Sequence, residues 1–208
     1  MSIFCPKCGR EYDVTLFQYG RTIECACGNR VGRELKVRSV NLPDRPEELR
    51  FMVDVMLGRL ARWLRVIGYD AAYHEGIEDS DLVRLSIDEG RILLTRDRAL
   101  PTEWWIDNYL LIDSTIPMEQ LRQVVGAYDL PWQERLFSRC TVCNESLNPL
   151  RHDQAAGLVP EKVLENAGRF AGCPVCGRVY WEGSHVDRMR RRLDEFLRSD
   201  DTRDDRAR

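Results

Sequence analysis

Three aspartates follow or adjoin segments that would bring them to one edge of a parallel sheet. Asp54 ends the apolar run 51–53, and Asp97 comes shortly after a second apolar run, 92–94. Parallel strands present their carboxyl ends at the same edge of a sheet, which is where ligands bind in such folds. Asp81 lies near the start of the helix between these runs, and it reaches that edge if the connections are right-handed. We therefore expect Asp54, Asp81 and Asp97 to converge.

Converging carboxylates predict a site for a hard divalent cation. Like charges held together repel, and without a counter-ion some carboxylates take up protons. Mg²⁺ or Mn²⁺ binds a few carboxylates, with water completing the shell, and activates water beside a phosphate. Taken singly, each aspartate is equally compatible with a helix cap or with a first-turn partner of the helix dipole. The prediction therefore depends on convergence, and Asp113, at the end of the next predicted strand, is the candidate fourth acid.

Eight cysteines form four close pairs and predict two structural zinc sites. Each pair is followed by glycine or asparagine, residues that tolerate the left-handed backbone of a tight turn around a metal-bound sulfur. Disulfides and redox motifs are the alternatives, and neither requires this turn residue. Four thiolates fill the zinc shell, so the sites are structural rather than catalytic. The predicted ligands are Cys5, Cys8, Cys25 and Cys27 in the first site and Cys140, Cys143, Cys173 and Cys176 in the second.

The pattern of helices and strands predicted around these residues indicates an α/β fold with two appended zinc ribbons. Amphipathic helices over 56–67 and 80–89 alternate with apolar strands at 91–94 and 108–112, which is typical of a parallel sheet sandwiched by helices. A third helix is predicted to begin near residue 114. The cysteine pairs of the second ribbon are separated by a long insert that is rich in Asn, Pro and Gly, and a disordered loop is predicted within it near residues 151–165. The predicted divisions are an N-terminal zinc ribbon (1–37), a linker (38–49), the central domain (50–130), a C-terminal zinc ribbon (137–183), a final helix (184–198) and a disordered tail (199–208).

The net charge and the arginine content of the chain limit the classes of ligand that it is expected to bind. The net charge of −3 argues against a non-specific binder of polyanions. However, 28 of the 31 basic residues are arginine, the side chain suited to bidentate phosphate contacts, although a GC-rich genome explains the bias equally well. Arg59, Arg62 and Arg65 form a basic stripe on the first helix of the central domain, and a solvated face is the alternative interpretation.

The apolar segments are too short for a membrane helix, and the N-terminus lacks the basic-then-apolar pattern of a signal peptide. We therefore expect a cytoplasmic protein without a membrane partner.

Several motifs resemble one nuclease family. The segments that carry the resemblance are 51–70, Ser80 with Asp81, 90–97, 138–140, Cys143 with Asn144, and 180–185. Together they are similar to the Mut-7 C-terminal RNAse domain family, a PIN-like nuclease core with a fused C-terminal zinc ribbon, over about residues 50–189. The resemblance implies metal-dependent RNA cleavage by an acidic cluster at Asp54, Asp81 and Asp97. The N-terminal ribbon lies outside it.

Two functions of different classes follow. In the first, the protein is an endoribonuclease in which the three aspartates hold Mg²⁺ or Mn²⁺, water is the nucleophile, and Arg59, Arg62 and Arg96 contact substrate phosphates. In the second, the protein is a non-catalytic RNA-binding or ribonucleoprotein module with a vestigial acidic site. In either case, the ribbons are expected to assist RNA binding, and the N-terminal ribbon is the candidate contact for an RNA-processing partner.

Overall fold

The computed structural model of the protein describes residues 2–32, 42–104 and 106–198. Residues 33–37 of the predicted N-terminal ribbon, residues 38–41 of the predicted linker and the predicted disordered tail, 199–208, lie outside the described residues. Two compact units are present: residues 2–61 with 71–114, and residues 62–70 with 115–198. The predicted domain boundaries stay predictions, and each unit is described separately.

The N-terminal ribbon consists of two small hairpins. Its elements are β1 (Ser2–Phe4), β2 (Glu11–Asp13), a 3-10 helix (Val14–Gly20), β3 (Ile23–Glu24) and β4 (Arg30–Val31). β1 pairs with β2 and β3 pairs with β4, both antiparallel. In the described part of the ribbon, the buried hydrophobic cluster consists of two cysteines with Phe17 and Val31. So small a core does not supply the free energy of folding by itself, and cross-linking by a metal is the usual remedy.

The central sheet confirms the predicted fold class. Four parallel strands lie in the order β6-β5-β7-β8. The elements of this region are β5 (Arg50–Val53), a 3-10 turn (Val55–Leu57), α1 (Gly58–Val66), β6 (Asp70–Tyr73), α2 (Asp79–Asp88), β7 (Ile92–Thr95), α3 (Leu100–Glu103) and β8 (Tyr109–Leu111).

Burial explains why these segments form a two-sided sheet. Every residue of β7 is buried, as expected for a central parallel strand covered on both faces. The register of β5 and β7 places Val53 beside Leu94, so both strands end at the same level. On one face, Leu82 and Val83 of α2 pack with Met52 and Leu93 of the strands. Sheet and helix thus fix the edge at which Asp54 and Asp97 leave the strands.

The second unit contains the C-terminal ribbon and two longer helices. Its elements are α4 (Pro117–Tyr128), a 3-10 turn (Gln133–Arg135), β9 (Asn148–Leu150), α5 (His152–Ala155), α6 (Glu161–Asn166), β10 (Phe170–Gly172), β11 (Val179–Trp181) and α7 (Ser184–Arg198). The three strands form an antiparallel sheet in the order β11-β10-β9. α7 packs on α4, and the Arg122 guanidinium lies 4.7 Å from the centroid of the Phe196 ring.

The prediction of a disordered loop over residues 151–165 is wrong, because α5 and most of α6 occupy it. Local polar bonds order the segment: Arg151 binds the Asp153 carboxylate at 2.7 Å, and the Gln154 side chain accepts a hydrogen bond from the Arg151 amide at 2.9 Å. His152 Nε2 lies 2.7 Å from the Leu164 carbonyl oxygen, and this contact joins the two helices. Composition alone does not reveal such bonds.

Residues 62–70 are fastened to the C-terminal ribbon within the second unit. The Arg65 guanidinium donates to the carbonyl oxygens of Thr141 and Val142, and the Asn144 amide donates to the Asp70 carboxylate at 2.7 Å. Gly68 has φ +86°, and a Cβ atom there would lie 2.2 Å from the Arg135 carbonyl oxygen. Glycine is therefore required at this position both by the backbone angle and by the close approach.

Candidate active site

Asp54 is held rigidly at the carboxyl end of β5. Its amide donates to the Leu94 carbonyl at 3.0 Å, which extends the pairing of β5 with β7 by one residue. Its side chain is buried, with only 5% of the residue surface exposed. The Thr95 hydroxyl donates to Asp54 Oδ2 at 2.5 Å. A buried carboxylate fixed in this way has one oxygen engaged by the protein and its second oxygen available for another partner.

Asp97 is tied to the same threonine. Its amide donates to Thr95 Oγ1 at 2.9 Å, so a single buried hydroxyl connects the two predicted acids. The Ala99 amide donates to Asp97 Oδ1 at 2.8 Å, which closes a local turn and orients the carboxylate. The structure therefore brings Asp54 and Asp97 together through Thr95. Sequence reasoning missed Thr95, although a hydroxyl residue at the end of an otherwise apolar run was a usable signal.

Asp79 lies in the electrostatic environment of these two acids. Partial burial of its carboxyl group, followed by the charges of Asp54, Asp97 and Glu103, raises the pKa of Asp79 above its ordinary value of 3.8, even though much of the residue remains exposed. Asp79 is the first residue of α2, three and four positions before the buried Leu82 and Val83, and it therefore leaves the helix on the side that faces the sheet.

Asp81 has a different environment. Its carboxylate accepts from the Arg84 guanidinium at 3.0 Å, and 54% of its side chain is exposed. Among the interactions that raise the Asp79 pKa, Asp81 is not included, whereas Asp54 and Asp97 are. The structure thus associates Asp79, a residue that sequence reasoning did not select, with the other two acids, and it places Asp81 in an ion pair along α2. The role predicted for Asp81 stays a prediction.

The other candidate residues differ in their surroundings. Asp113 is 71% exposed and forms an ion pair of 3.6 Å with Arg98. Arg96, between Thr95 and Asp97, is half-buried, and its Nε atom has no hydrogen-bond partner among the described residues. Arg59 and Arg62 are exposed on α1. Arg65 is buried and binds the carbonyls of the C-terminal ribbon, so it does not belong to a solvent-facing stripe.

The carboxylates do not form a closed cage in this structure. Among the described residues, the groups of three or more potential ligands whose atoms all lie within 4.8 Å of one another are the two cysteine clusters. The carboxylates of the acidic edge are therefore not gathered into such a group. Their oxygens are the type of ligand that Mg²⁺ and Mn²⁺ bind in proteins.

The first cysteine cluster has the chemistry of a four-thiolate zinc site. Cys5 Sγ lies 3.6 Å from Cys27 Sγ, and Cys8 Sγ lies 3.4 Å from Cys25 Sγ. Hydrogen bonds from the Cys27 amide and then from the Tyr12 hydroxyl lower the pKa of Cys25 to about 6. The pKa of Cys8 rises to about 12, because the neighbouring sulfurs outweigh the Arg10 amide, which acts in the opposite direction. A cation is needed for all four thiols to ionise together.

The second cluster repeats this pattern. Cys140 Sγ lies 3.6 Å from Cys176 Sγ, and Cys143 Sγ lies 3.2 Å from Cys173 Sγ. Burial acts to raise the pKa of Cys140, but the Tyr180 hydroxyl and backbone amides outweigh it and lower the pKa to about 6. Burial, followed by the thiols of Cys173 and Cys140, raises the pKa of Cys143 to about 12. The residues after the second cysteine of three pairs, Gly9, Asn144 and Gly177, have φ between 67° and 72°, as the predicted turns require. Both clusters could hold zinc.

The N-terminal ribbon docks on α3, just after the acidic edge. The Thr22 amide donates to the Glu103 carbonyl, the Thr22 hydroxyl to the Thr102 carbonyl at 2.9 Å, and the Arg30 guanidinium to the same carbonyl at 2.6 Å. The Arg21 guanidinium lies 5.3 Å from the centroid of the Trp104 ring. These contacts leave a polar pocket of about 330 Å³, lined by residues of the ribbon and of α2 that include Gln18, Arg21, Ser80, Asp81 and Arg84.

Comparison with models of known families identifies the family to which this chain belongs. The family model described as Mut7-C RNAse domain matches residues 49–193, which is more than half of the chain. The chain belongs to the Mut7-C RNAse domain family. This membership indicates a ribonuclease-like function and RNA as the class of substrate. No curated protein matches the chain, and no solved structure matches it.

The Mut7-C match contains the acidic edge and the C-terminal cysteine cluster, whereas the N-terminal ribbon precedes it. This ribbon is therefore an addition to the family domain, although it contacts α3 within the same compact unit. Across the described part of the chain, no helix combines the length and the hydropathy that crossing a membrane requires.

We predict that the purified protein carries close to two zinc ions per chain, which native mass spectrometry measures. Cys173→Ser should lose one zinc ion and unfold the C-terminal ribbon, because three ligands and a small core do not hold the three strands together. Cys5→Ser is the matched control, and it should lose the other ion while the C-terminal ribbon stays folded. Intact disulfides in place of zinc would contradict the assignment of both clusters.

We also predict that Asp79→Asn raises the melting temperature at pH 7 when no Mg²⁺ or Mn²⁺ is added. The folded state binds the Asp79 proton more tightly than the unfolded state does, so the free energy of unfolding falls as the pH rises from about 3.8 through the raised pKa. The advantage of the variant should therefore disappear below about pH 3.8, where both states are protonated. Asp81→Asn, which removes an exposed ion pair, should show no such gain. The same change in melting temperature for the two variants would mean that the charges of the other acids do not affect Asp79.

Proposed function

We propose that the protein is a metal-dependent endoribonuclease that hydrolyses RNA phosphodiester bonds at the edge formed by Asp54, Asp97 and one acid of α2. The observation that supports the proposal is the hydroxyl of Thr95, which donates to the Asp54 carboxylate and accepts from the Asp97 backbone amide at the carboxyl ends of two parallel strands. Membership of the Mut7-C RNAse domain family supplies the reaction class. Ligands bind at this edge in parallel sheets generally.

The proposed ligands of the catalytic cation are the carboxylates of Asp54 and Asp97. Mg²⁺ or Mn²⁺, when bound, activates water and neutralises charge that develops on the phosphate. The protein already hydrogen-bonds one oxygen of each carboxylate and so orients it: Asp54 Oδ2 accepts from the Thr95 hydroxyl, and Asp97 Oδ1 accepts from the Ala99 amide. The remaining oxygen of each carboxylate would then be available to hold the cation. Water attacks phosphorus, the bond to the leaving ribose oxygen breaks, and a proton from water passes to solvent while the leaving oxygen gains one.

The third acid is either Asp79 or Asp81. The side of α2 on which Asp79 lies favours Asp79, and so does its raised pKa, to which burial contributes most and the charges of Asp54 and Asp97 contribute next. Asp81, the residue predicted from sequence, forms an ion pair with Arg84 and lines the polar pocket beside the N-terminal ribbon. Opening this ion pair, with one partner half exposed, costs little free energy, so recruitment of Asp81 by a bound cation is the alternative.

Arginines are the proposed contacts for substrate phosphates. Arg96 lies between Thr95 and Asp97 and is half-buried, and we propose that the exposed part of its guanidinium contacts a phosphate. Its Nε atom is buried and has no hydrogen-bond partner among the described residues. Arg59 and Arg62 are exposed and three positions apart on α1, and we propose that they bind the backbone of the RNA. Arg65 has no such role, since its guanidinium binds ribbon carbonyls.

We propose that both ribbons hold zinc and assist binding of RNA or of an RNA-processing partner. For the N-terminal ribbon, the support is its docking on α3 and the position of Arg21 in the polar pocket that Asp81 also lines. All eight cysteines are free of disulfides, which is consistent with a reducing, cytoplasmic environment.

The second candidate function is a non-catalytic RNA-binding module. The open arrangement of the acids among the described residues favours it, because three carboxylates do not approach within 4.8 Å of one another. A vestigial site would not be expected to keep a buried threonine hydroxyl bonded to both aspartates, and for that reason we prefer the nuclease.

We predict that Asp54→Asn and Asp97→Asn each reduce Mn²⁺-dependent cleavage of a labelled RNA by at least about 100-fold, since each removes a charged ligand. Thr95→Val, which deletes only the connecting hydroxyl, should reduce it by about 10- to 100-fold. Wild-type cleavage rates in both aspartate variants would locate the chemistry elsewhere. Asp79→Asn and Asp81→Asn form a matched pair, and the larger loss should fall on Asp79.

A further inference from the structure

A concave surface in the second unit lies far along the chain from the acidic residues. It has a volume of about 510 Å³ and is formed by the strands of the C-terminal ribbon and the first turns of α7. This volume is within the range of about 300–1,000 Å³ that is usual for small-molecule sites. The residues that characterise its walls are Phe170, Ala171, Tyr180, Trp181, His185 and Met189.

The walls are suited to a flat aromatic ring. Trp181 on β11 lies opposite Phe170 on β10 in the antiparallel pair, so both aromatic side chains belong to the same side of the sheet. The rings of Trp181 and His185 lie 6.0 Å apart at 75°, an edge-to-face contact that restricts the orientation of the indole. Met189, one turn after His185 on α7, adds a polarisable thioether.

Polar groups at the rim suit the edge of a nucleobase. Arg169 and Glu182 both line the cavity and are exposed, and the Glu182 amide donates to the Arg169 carbonyl at 3.0 Å, so the two residues are neighbours. A carboxylate accepts hydrogen bonds from the amino groups of bases, and a guanidinium donates to their carbonyl and ring-nitrogen acceptors. An apolar peptide side chain would use neither group.

The helix beside the cavity carries positive charge. Arg188 and Arg192 are exposed, and no described residue forms an ion pair with either of them. Arg188 is three positions after His185 and Arg192 three after Met189, so both arginines lie next to the residues that line the cavity. A groove that combines aromatic stacking surfaces with unpaired arginines has the composition of single-stranded nucleic acid sites.

We propose that this cavity binds one base of a single-stranded RNA, stacked against Trp181, while the adjacent phosphates bind Arg188 and Arg192. The inference goes beyond the cleavage reaction, because it assigns to the C-terminal ribbon and α7 a binding site for unpaired RNA of their own. In a duplex, stacking on neighbouring bases covers the faces of each base and pairing occupies its edge, so duplex RNA is excluded and the site selects single strands.

The test is binding of the full-length zinc-loaded protein to a fluorescein-labelled RNA of about 12 nucleotides, followed by fluorescence anisotropy. Binding is measured without added Mg²⁺ or Mn²⁺, so that the RNA is not cleaved during the measurement. Trp181→Ala should weaken binding by about 5- to 150-fold, and Trp181→Phe should restore most of it. A duplex of the same sequence should bind no better to the wild type than to Trp181→Ala.

The arginine contacts have their own matched pair. Arg192→Ala should lower the salt slope of binding by about one unit, because one phosphate contact is lost. Arg191, two positions from Met189, projects from the opposite side of α7, and Arg191→Ala should keep the wild-type slope. Equal slopes for Arg192→Ala and the wild type would remove Arg192 from the site.

A second measurement uses the wild-type protein and therefore does not depend on whether Trp181→Ala folds. RNA that contains 4-thiouridine is photo-crosslinked to the protein, and mass spectrometry identifies the peptide attached. Crosslinks within residues 169–171 or 179–189 support the proposal. Crosslinks confined to segments that do not line the cavity, or unchanged RNA affinity in a zinc-loaded Trp181→Ala protein, would overturn it. Loss of cleavage in the aspartate variants, with binding unchanged, would concern the acidic site alone.

Discussion

Electrostatic repulsion among Asp54, Asp79 and Asp97 is the constraint on which the candidate site depends. The parallel strands β5 and β7 end at the same level, so the residues that follow them are necessarily close. The Thr95 hydroxyl donates to the Asp54 carboxylate and accepts from the Asp97 backbone amide. Burial, followed by the charges of Asp54 and Asp97, raises the pKa of Asp79. A divalent cation would relieve the repulsion, and a bound cation of this kind can activate water beside a phosphodiester.

A different constraint applies to the two ribbons, because each has little apolar surface from which to form a core. Each contains a four-cysteine cluster that could hold zinc, and a bound ion would stabilise its internal structure. Each then contacts its own compact unit mainly through polar groups: Thr22 and Arg30 bind the carbonyl of Thr102, and Arg65 binds the carbonyls of Thr141 and Val142. Backbone carbonyls provide these positions at no cost in hydrophobic core, and they place the ribbons precisely enough to contribute to binding surfaces.

Local patterns in the sequence were sufficient for the strands, the helices of the central domain and the cysteine clusters. Apolar runs end in Asp54 and close to Asp97, and this placement of the acids depends only on the direction of the strands. The choice between Asp79 and Asp81 depends on the rotational position of α2. The spacing of Asp79 before Leu82 and Val83 would have indicated the sheet-facing side, whereas Asp81 is paired with Arg84.

Contacts between distant residues were beyond the reach of the sequence. Arg65 resembled a member of a surface stripe, yet it is buried against carbonyls that lie more than 70 residues later in the chain. Thr95 looked like the polar end of a strand, and its bonds to two acids become visible only when β5 and β7 are paired. The helices α5 and α6 form in a segment of loop-like composition because His152 reaches the Leu164 carbonyl.

The central claim is that the acidic edge exists to hold a divalent cation, and Mn²⁺ binding followed by electron paramagnetic resonance tests it most directly. The wild-type protein with zinc in both ribbons should bind Mn²⁺ in competition with Mg²⁺. The affinity should fall by at least about tenfold when Asp54 and Asp97 are both changed to Asn. The same Mn²⁺ affinity in the wild type and in this double variant would contradict the account, because the paired aspartates would then have no cation to hold.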